Sequence, residues 1–182
     1  MEDAIRTEYL RDSAETLRKY ESLADRSLAR VTDAQFFATI DTESNSLAVV
    51  VKHMAGNLLS RWTDLLTADG EKPGRDRDSE FVIAPTETRE SLMARWGAGW
   101  ATAFLSLGSL TPADLDRTIQ IRGEPHSLVQ AINRQLTHAA YHVGQIVFLA
   151  KHFQADRWES LSIPRGQSEQ FNAAMPAPPA RG

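Results

Sequence analysis

Three of the five histidines occupy positions from which their side chains could bind one metal ion. His138 and His142 are four residues apart, and on a helix this spacing places both imidazoles on one face, about a turn apart. Neutral imidazoles at this spacing are typical ligands of a divalent ion. His53 lies in a second apolar run that also predicts a helix. Three imidazoles from two facing helices would leave open positions for water and substrate, as in catalytic zinc sites.

Other interpretations of these histidines remain open. The pair His138 and His142 is equally compatible with two hydrogen-bonded core side chains or with a contact between subunits, and His53 alone is typical of a half-buried helical residue. His126, before the last long helix, and His152, near its end, are expected to be structural or solvent-exposed. A third ligand at His53 is what favours a metal site over a plain structural pair.

Two classes of chemistry are excluded by the residues themselves. A zincin protease requires Glu directly after the first histidine of the pair, and this position is Ala139. The chain has no cysteine, which excludes disulfide scaffolds, zinc fingers, iron–sulfur clusters and a cysteine nucleophile. Any thiolate in the reaction must therefore come from a cosubstrate. The sequence does not identify a general base, so the catalytic residues stay unassigned.

Composition predicts one soluble domain. The chain has 182 residues, of which 42% are hydrophobic and 24% charged, so it can bury a stable core without disulfide bonds. The net charge of −4, from 20 basic and 24 acidic residues, argues against a nucleic-acid partner, since phosphate neutralisation needs surplus Lys and Arg. No apolar stretch approaches the ~20 residues that span a bilayer, and the first residues show no signal-peptide pattern. We expect a cytoplasmic protein without a membrane partner.

The histidines are carried by elements that predict an all-α fold. Apolar residues recur at helical spacing over about 4–29, 46–66, 86–107 and 127–153, which indicates a four-helix bundle. We assign residues 1–172 to this single domain and expect 173–182 to be a disordered tail. The predicted smaller elements are a capped helical turn at 32–37, a short strand at 81–84, a strand at 118–122 that allows a minor strand pair, and long connections through 67–85 and 108–126.

Side chains near the histidines have expected supporting roles. Asn57 and Gln145 lie on faces from which they could hydrogen-bond the second ring nitrogen of a ligand. Arg61 and Asp64 are expected to form an ion pair at the helix surface. The charged segment 67–80, in which Lys72, Arg75 and Arg77 alternate with acidic residues, predicts a solvated loop rather than an anion site. The four tryptophans, Trp62, Trp96, Trp100 and Trp158, are expected to be core residues.

Two runs of sequence resemble a known superfamily. The segment 51–64, followed by Asp69-Gly70-Glu71, and the segment 133–146 resemble the DinB-like superfamily of metalloenzymes, and the tail Leu161-Ser162-Ile163-Pro164-Arg165-Gly166-Gln167-Ser168 is similar to a branch described as a domain of unknown function. The resemblance covers nearly the whole chain. Its most specific part is one histidine in the second long helix together with His-x-x-x-His in the last.

This resemblance implies a fold, a ligand set and a range of activities. It implies a four-helix bundle, commonly a homodimer, with zinc or nickel held by His53, His138 and His142. Relatives of this kind include transferases and isomerases that use a low-molecular-weight thiol such as mycothiol, bacillithiol or glutathione on a small-molecule substrate. The alternative is a non-catalytic bundle that binds metal or a small molecule, and a plain dimerising scaffold is a third possibility.

Overall fold

The computed structural model describes residues 2–175 and confirms a mostly α-helical fold. Four long helices form a bundle, and a two-stranded antiparallel hairpin lies between the last two. In chain order the elements are α1 (Glu2–Leu28), α2 (Asp33–Phe37), α3 (Leu47–Trp62), α4 (Arg89–Gly108), β1 (Thr118–Ile121), β2 (Glu124–Ser127), α5 (Leu128–Gln154) and α6 (Ser168–Ala174).

Helix α3 lies at the centre of the fold and supplies much of its core. It packs chiefly against α4, while α1 packs against α5. Every residue of α3 except Leu59 is buried, which explains why its apolar residues occur on all sides of the helix. The contact with α4 is close because Gly99 has no side chain: a Cβ there would lie 3.2 Å from the carbonyl oxygen of Ala55. The helix that carries His53 is therefore held on several faces.

Hydroxyl side chains cap the first turns of three long helices. Ser46 starts α3 by accepting a hydrogen bond from the Val49 N–H, and Thr88 starts α4 in the same way. Ser127 caps α5, so this helix begins at Leu128, within a residue of the predicted start. Capping sets where each helix begins, and through the helical repeat it sets which face His53, His138 and His142 occupy.

The predicted end of one helix and one predicted strand were wrong. Helix α3 ends at Trp62 rather than near Leu66, because Thr63 is extended and Asp64 has a φ of +49°, a left-handed conformation that a helix cannot include. The strand expected at 81–84 does not form. Residues 78–81 make a 3₁₀ turn, and the chain after it is tied to α3 through Lys52, whose Nζ donates to the Val82 carbonyl and the Glu87 carboxylate at 2.7 Å each.

The hairpin and the loop after α3 are joined by one aspartate. Arg122 and Gly123 both have positive φ, 58° and 72°, as a tight two-residue hairpin turn requires. The Asp69 carboxylate accepts hydrogen bonds from both of their N–H groups and from that of Glu71. The Gly70 N–H also donates to the Gln120 carbonyl at 2.8 Å. This anchoring brings the charged loop alongside the bundle instead of leaving it in solvent.

The end of the chain differs in part from the expectation. Helix α6 continues past residue 172 to Ala174, while 176–182, the larger part of the predicted tail, lie outside the described residues. Within 2–175, none of the helices has the length and apolar character needed to traverse a lipid bilayer.

Candidate metal centre

The structure brings His53, His138 and His142 together. His53 comes from α3 and the other two from α5, and one nitrogen of each ring lies within 4.8 Å of the others. The Nε2 atoms of His53 and His138 are 3.2 Å apart. Two nitrogens about 2.0–2.1 Å from one tetrahedral ion would be separated by about 3.3 Å. The three side chains therefore fit a single divalent ion, and their role as ligands stays a prediction.

Two of the three imidazoles are oriented through Nδ1. The Nδ1 of His53 donates to the Glu80 carboxylate at 2.8 Å, and the Nδ1 of His142 donates to Oε1 of Gln145 at 2.8 Å. A proton on Nδ1 leaves Nε2 with its lone pair free, which is the form that binds a metal. The hydrogen bond expected from Gln145 is present. The expected role of Asn57 was wrong, because Glu80 occupies the position beside His53.

Burial keeps the imidazoles of His138 and His142 neutral. It lowers the pKa of His138 to about 3, with further contributions from His142 and His53 nearby. Burial also lowers the pKa of His142, and the hydrogen bond to Gln145 opposes this shift only in part. In the described structure the Nδ1 of His138 is buried without a hydrogen-bond partner. Neutral rings at physiological pH are ready to act as ligands without first losing a proton.

Glu80 is the main residue of the candidate site that the sequence did not reveal. It is only 3% exposed, although the segment 67–80 was expected to be solvated, and this expectation was wrong for its anchored part. Arg75 donates from Nε to Oε1 at 2.7 Å and from Nη2 to Oε2 at 2.8 Å. Burial alone would raise the pKa of Glu80, but the hydrogen bonds from His53 and Arg75 outweigh it and lower the pKa. Glu80 is therefore a carboxylate that holds His53 in place.

The space for Glu80 is provided by a glycine of α3. A Cβ built on Gly56 would overlap the Glu80 carboxylate. Gly56 lies three residues after His53, so the missing side chain opens the helix surface beside that histidine. A glycine in the middle of a buried helix was the one signal in the sequence that some group approaches there.

Arg61 is buried and does not pair with Asp64, so that prediction was wrong. Helix α3 ends between them, and Nη2 of Arg61 instead lies 3.3 Å from Glu71. Burial lowers the pKa of Arg61 to about 10, against the opposing effect of Glu71. Glu71 also pairs with Arg75 at 3.1 Å and with Arg122 at 3.3 Å. One loop carboxylate thus gathers three guanidinium groups next to the histidines.

A cavity of about 260 Å³ opens beside His53 and His138. Its lining combines apolar residues with arginines, Asn57 and Gln135. The apolar residues are Trp62, Leu65, Ile119, Ile121 and Ala131, and the arginines are Arg61, Arg75, Arg77, Arg122 and Arg134. A small molecule could therefore reach the histidines.

The remaining histidines and tryptophans follow the expectations. His126 lies in β2, where its Nδ1 is 3.0 Å from the Glu124 carbonyl, and His152 is exposed near the end of α5. Neither belongs to the histidine cluster. Trp62, Trp96 and Trp100 are buried, and Trp158 packs on the core beneath Arg30.

Fold and site together define a helical-bundle protein with a three-histidine cluster beside a cavity. The chain belongs to the family described as protein of unknown function (DUF1572), which matches residues 4–167. No curated protein and no solved structure matches the chain. The family assigns no activity, so function has to be argued from the site.

Proposed function

We propose that this protein is a metal-dependent enzyme of the DinB-like superfamily. A divalent ion, zinc or nickel, would be held by His53, His138 and His142 and would activate a low-molecular-weight thiol or water for transfer to a small molecule. The observation that carries the proposal is the convergence of three imidazoles beside an open cavity. Structural sites normally close all four positions with protein side chains, whereas three ligands next to a cavity leave room for a substrate.

The chain's own residues have separable roles in this proposal. When bound, the ion supplies a Lewis acid that lowers the pKa of a thiol or of water. Glu80 and Gln145 keep the proton of His53 and of His142 on Nδ1, and so direct both Nε2 atoms to the cluster. Arg75 keeps Glu80 ionised. Both Glu80 oxygens accept hydrogen bonds and its pKa is lowered, so it orients His53 rather than acting as a general base.

The first test is metal content. Protein expressed without a histidine tag and purified without chelator should carry about one zinc or nickel ion per chain, or take one up after dialysis with either metal. Elemental analysis and calorimetric titration measure this directly. A chain that neither carries nor takes up a stoichiometric ion would contradict the proposal.

The second test separates an enzyme from a binding protein. The metal-loaded protein is incubated with mycothiol, bacillithiol or glutathione and a panel of small electrophiles, and thiol consumption is followed against EDTA-treated protein. Metal-dependent turnover supports the proposal. A metal that raises the melting temperature without turnover of any thiol or of water would instead support the non-catalytic metal-binding bundle.

A homodimer is part of the same proposal. The support is an exposed apolar surface on α5, where Tyr141 and Phe148 are 64% and 62% exposed, seven residues apart and so close to one helix face. Light scattering after gel filtration should give twice the chain mass of 20.2 kDa. Phe148→Lys should shift the protein toward the monomer. Leu105→Lys, at a 76% exposed position on α4, is the matched control that should leave the dimer intact.

A further inference from the structure

The polar residues that line the cavity carry a surplus of positive charge. Five arginines line it, and none of its lining residues in the described part of the chain has a carboxylate. Arg61, Arg75 and Arg122 all pair with Glu71, and Arg75 also pairs with Glu80. These two carboxylates face three guanidinium groups, and Arg134 adds a further positive charge. A concave surface of this kind concentrates anions.

Two buried donors at the cavity have no acceptor. Arg61 is 9% exposed and Gln135 is 4% exposed, and both line the cavity. Nη1 of Arg61 and Nε2 of Gln135 are buried without a hydrogen-bond partner in the described structure, although Oε1 of Gln135 accepts from Nε1 of Trp62 at 3.2 Å. A buried donor without a partner is unfavourable, so a small rotation of either side chain that brings its donor to a ligand oxygen in the cavity would be favoured.

The apolar lining residues and the size of the cavity limit the rest of the ligand. Trp62, Leu65 and Ile119 offer apolar surface. The cavity volume of about 260 Å³ is smaller than the roughly 300–1,000 Å³ of sites for drug-sized ligands. The ligand should therefore be small, with one anionic end and one apolar end.

We infer that this cavity binds a small substrate through a single oxyanion group, a carboxylate or a phosphate monoester, held by Arg61 and Gln135. Its apolar part packs against Trp62 and Leu65, which places the molecule beside His53 and His138. The inference rests on the proposed function only in assigning this anion to a substrate of the metal centre. The cavity and its donors exist independently of any ion.

Binding to metal-free protein tests the inference. After EDTA treatment, calorimetric titrations with benzoate, phenyl phosphate and the neutral benzamide compare two oxyanions with an uncharged molecule of similar shape. At least one anion should bind with a dissociation constant about tenfold or more below that of benzamide. Preference for benzoate indicates a carboxylate substrate, and preference for phenyl phosphate indicates a phosphate monoester.

Two variants locate the binding. Gln135→Glu keeps an oxygen that can accept from Trp62 but replaces the free donor with an anionic oxygen, so anion binding should weaken by about tenfold or more while benzamide binding is unchanged. Arg61→Gln should weaken it similarly. Arg95→Gln removes the same charge from an arginine of α4 that does not line this cavity, and should have no effect.

The outcomes separate this inference from the proposed function. Anions that bind no more tightly than benzamide, or equally well to wild type and Gln135→Glu, would overturn the inference. Zinc titration of the same preparations reports on the proposed function alone. Anion binding without zinc binding would support the anion site and reject the metalloenzyme. Zinc binding without anion binding would support the metal site and reject the anion site.

Discussion

The three imidazoles differ in how their second ring nitrogen is held. His53 donates to a buried carboxylate and His142 to an amide oxygen, while Nδ1 of His138 has no partner in the described structure. A charged hydrogen-bond acceptor increases the electron density of the imidazole more than an amide does. His53 should therefore be the strongest metal ligand of the three. His138 should be held mainly by packing within α5 and by the ion itself.

Replacing His138 tests whether it is a ligand. We expect His138→Ala to lower zinc affinity by more than the roughly 10–100-fold change that follows loss of a hydrogen-bond partner of a ligand, because a direct bond to the metal is removed. Elemental analysis of purified protein and competition with a chelator measure this. His152→Ala is the matched control, since His152 lies exposed on the same helix. Equal metal content in the two variants would remove His138 from the ligand set.

Replacing Glu80 tests its orienting role. Glu80→Gln keeps the shape of the side chain but removes its charge, so zinc affinity should fall by about 10–100-fold without being abolished. Glu87→Gln is the control, because Glu87 is also a carboxylate after α3 but pairs with Lys52, at 2.7 Å, and not with a histidine. We expect this control to bind zinc like the wild type. An unchanged affinity in Glu80→Gln would show that His53 does not need the carboxylate.

Helix α3 and the loop after it work as one unit. The helix supplies His53 and Arg61, and the loop returns over it with Glu71, Arg75 and Glu80. Ser60 also donates to the Gly70 carbonyl at 2.8 Å and accepts from the Lys72 N–H at 3.1 Å, which fixes the start of the loop on the helix. The positions and charges of the side chains at the site therefore depend on how the loop packs on α3. The sequence of the helix has a strong hydrophobic periodicity, and that of the loop has none.

Gly56 tests this packing. In Gly56→Ala the new methyl group would overlap the Glu80 carboxylate, so the loop must shift and zinc affinity and stability should both fall. Gly97→Ala is the control, because nothing lies within 4 Å of the added Cβ on α4. Alanine at that position should raise the free energy of unfolding by about 0.5–1 kcal/mol through its helix propensity. Urea unfolding and zinc titration of both variants provide the comparison. The free energy of unfolding should fall in Gly56→Ala and rise in Gly97→Ala.

The metal-free molecule should lose stability as the pH falls. The pKa of His138 is about 3 in the folded chain, against 6.5 for an ordinary histidine, and the pKa of His142 is also lowered. Below pH 6.5 the unfolded chain binds more protons than the folded one. The neutral His138 and His142 therefore stabilise the folded chain fully above the unfolded pKa, and this stabilisation is lost progressively as the pH falls toward the folded pKa. The free energy of unfolding in EDTA should decline between about pH 7.5 and about pH 5.

His138→Gln identifies the source of that slope. The variant lacks the titrating group and should show a shallower decline of unfolding free energy over the same pH range, measured by urea denaturation. His152→Gln, which removes an exposed histidine from the same helix, should retain the wild-type slope. Parallel curves for all three proteins would show that His138 does not cause the loss.

Local patterns were sufficient for the presence of the long helices and for placing His138 and His142 on one helix face. Ser46, Thr88 and Ser127 cap helices where their side chains predict a start, and the spacing of His138 and His142 holds on any regular helix. These features depend on residues within a few positions of one another. A single sequence contains that information directly.

The surroundings of the histidines required the tertiary structure. Glu80 reaches His53 across 27 residues, and Glu71 meets Arg122 across 51 residues through a hairpin tied down by Asp69. A run of alternating charges has no periodicity that distinguishes a solvated loop from one folded over a helix. Whether such a charge is exposed or buried depends on partners far away in the chain, since a buried carboxylate is stable only where hydrogen-bond donors meet it.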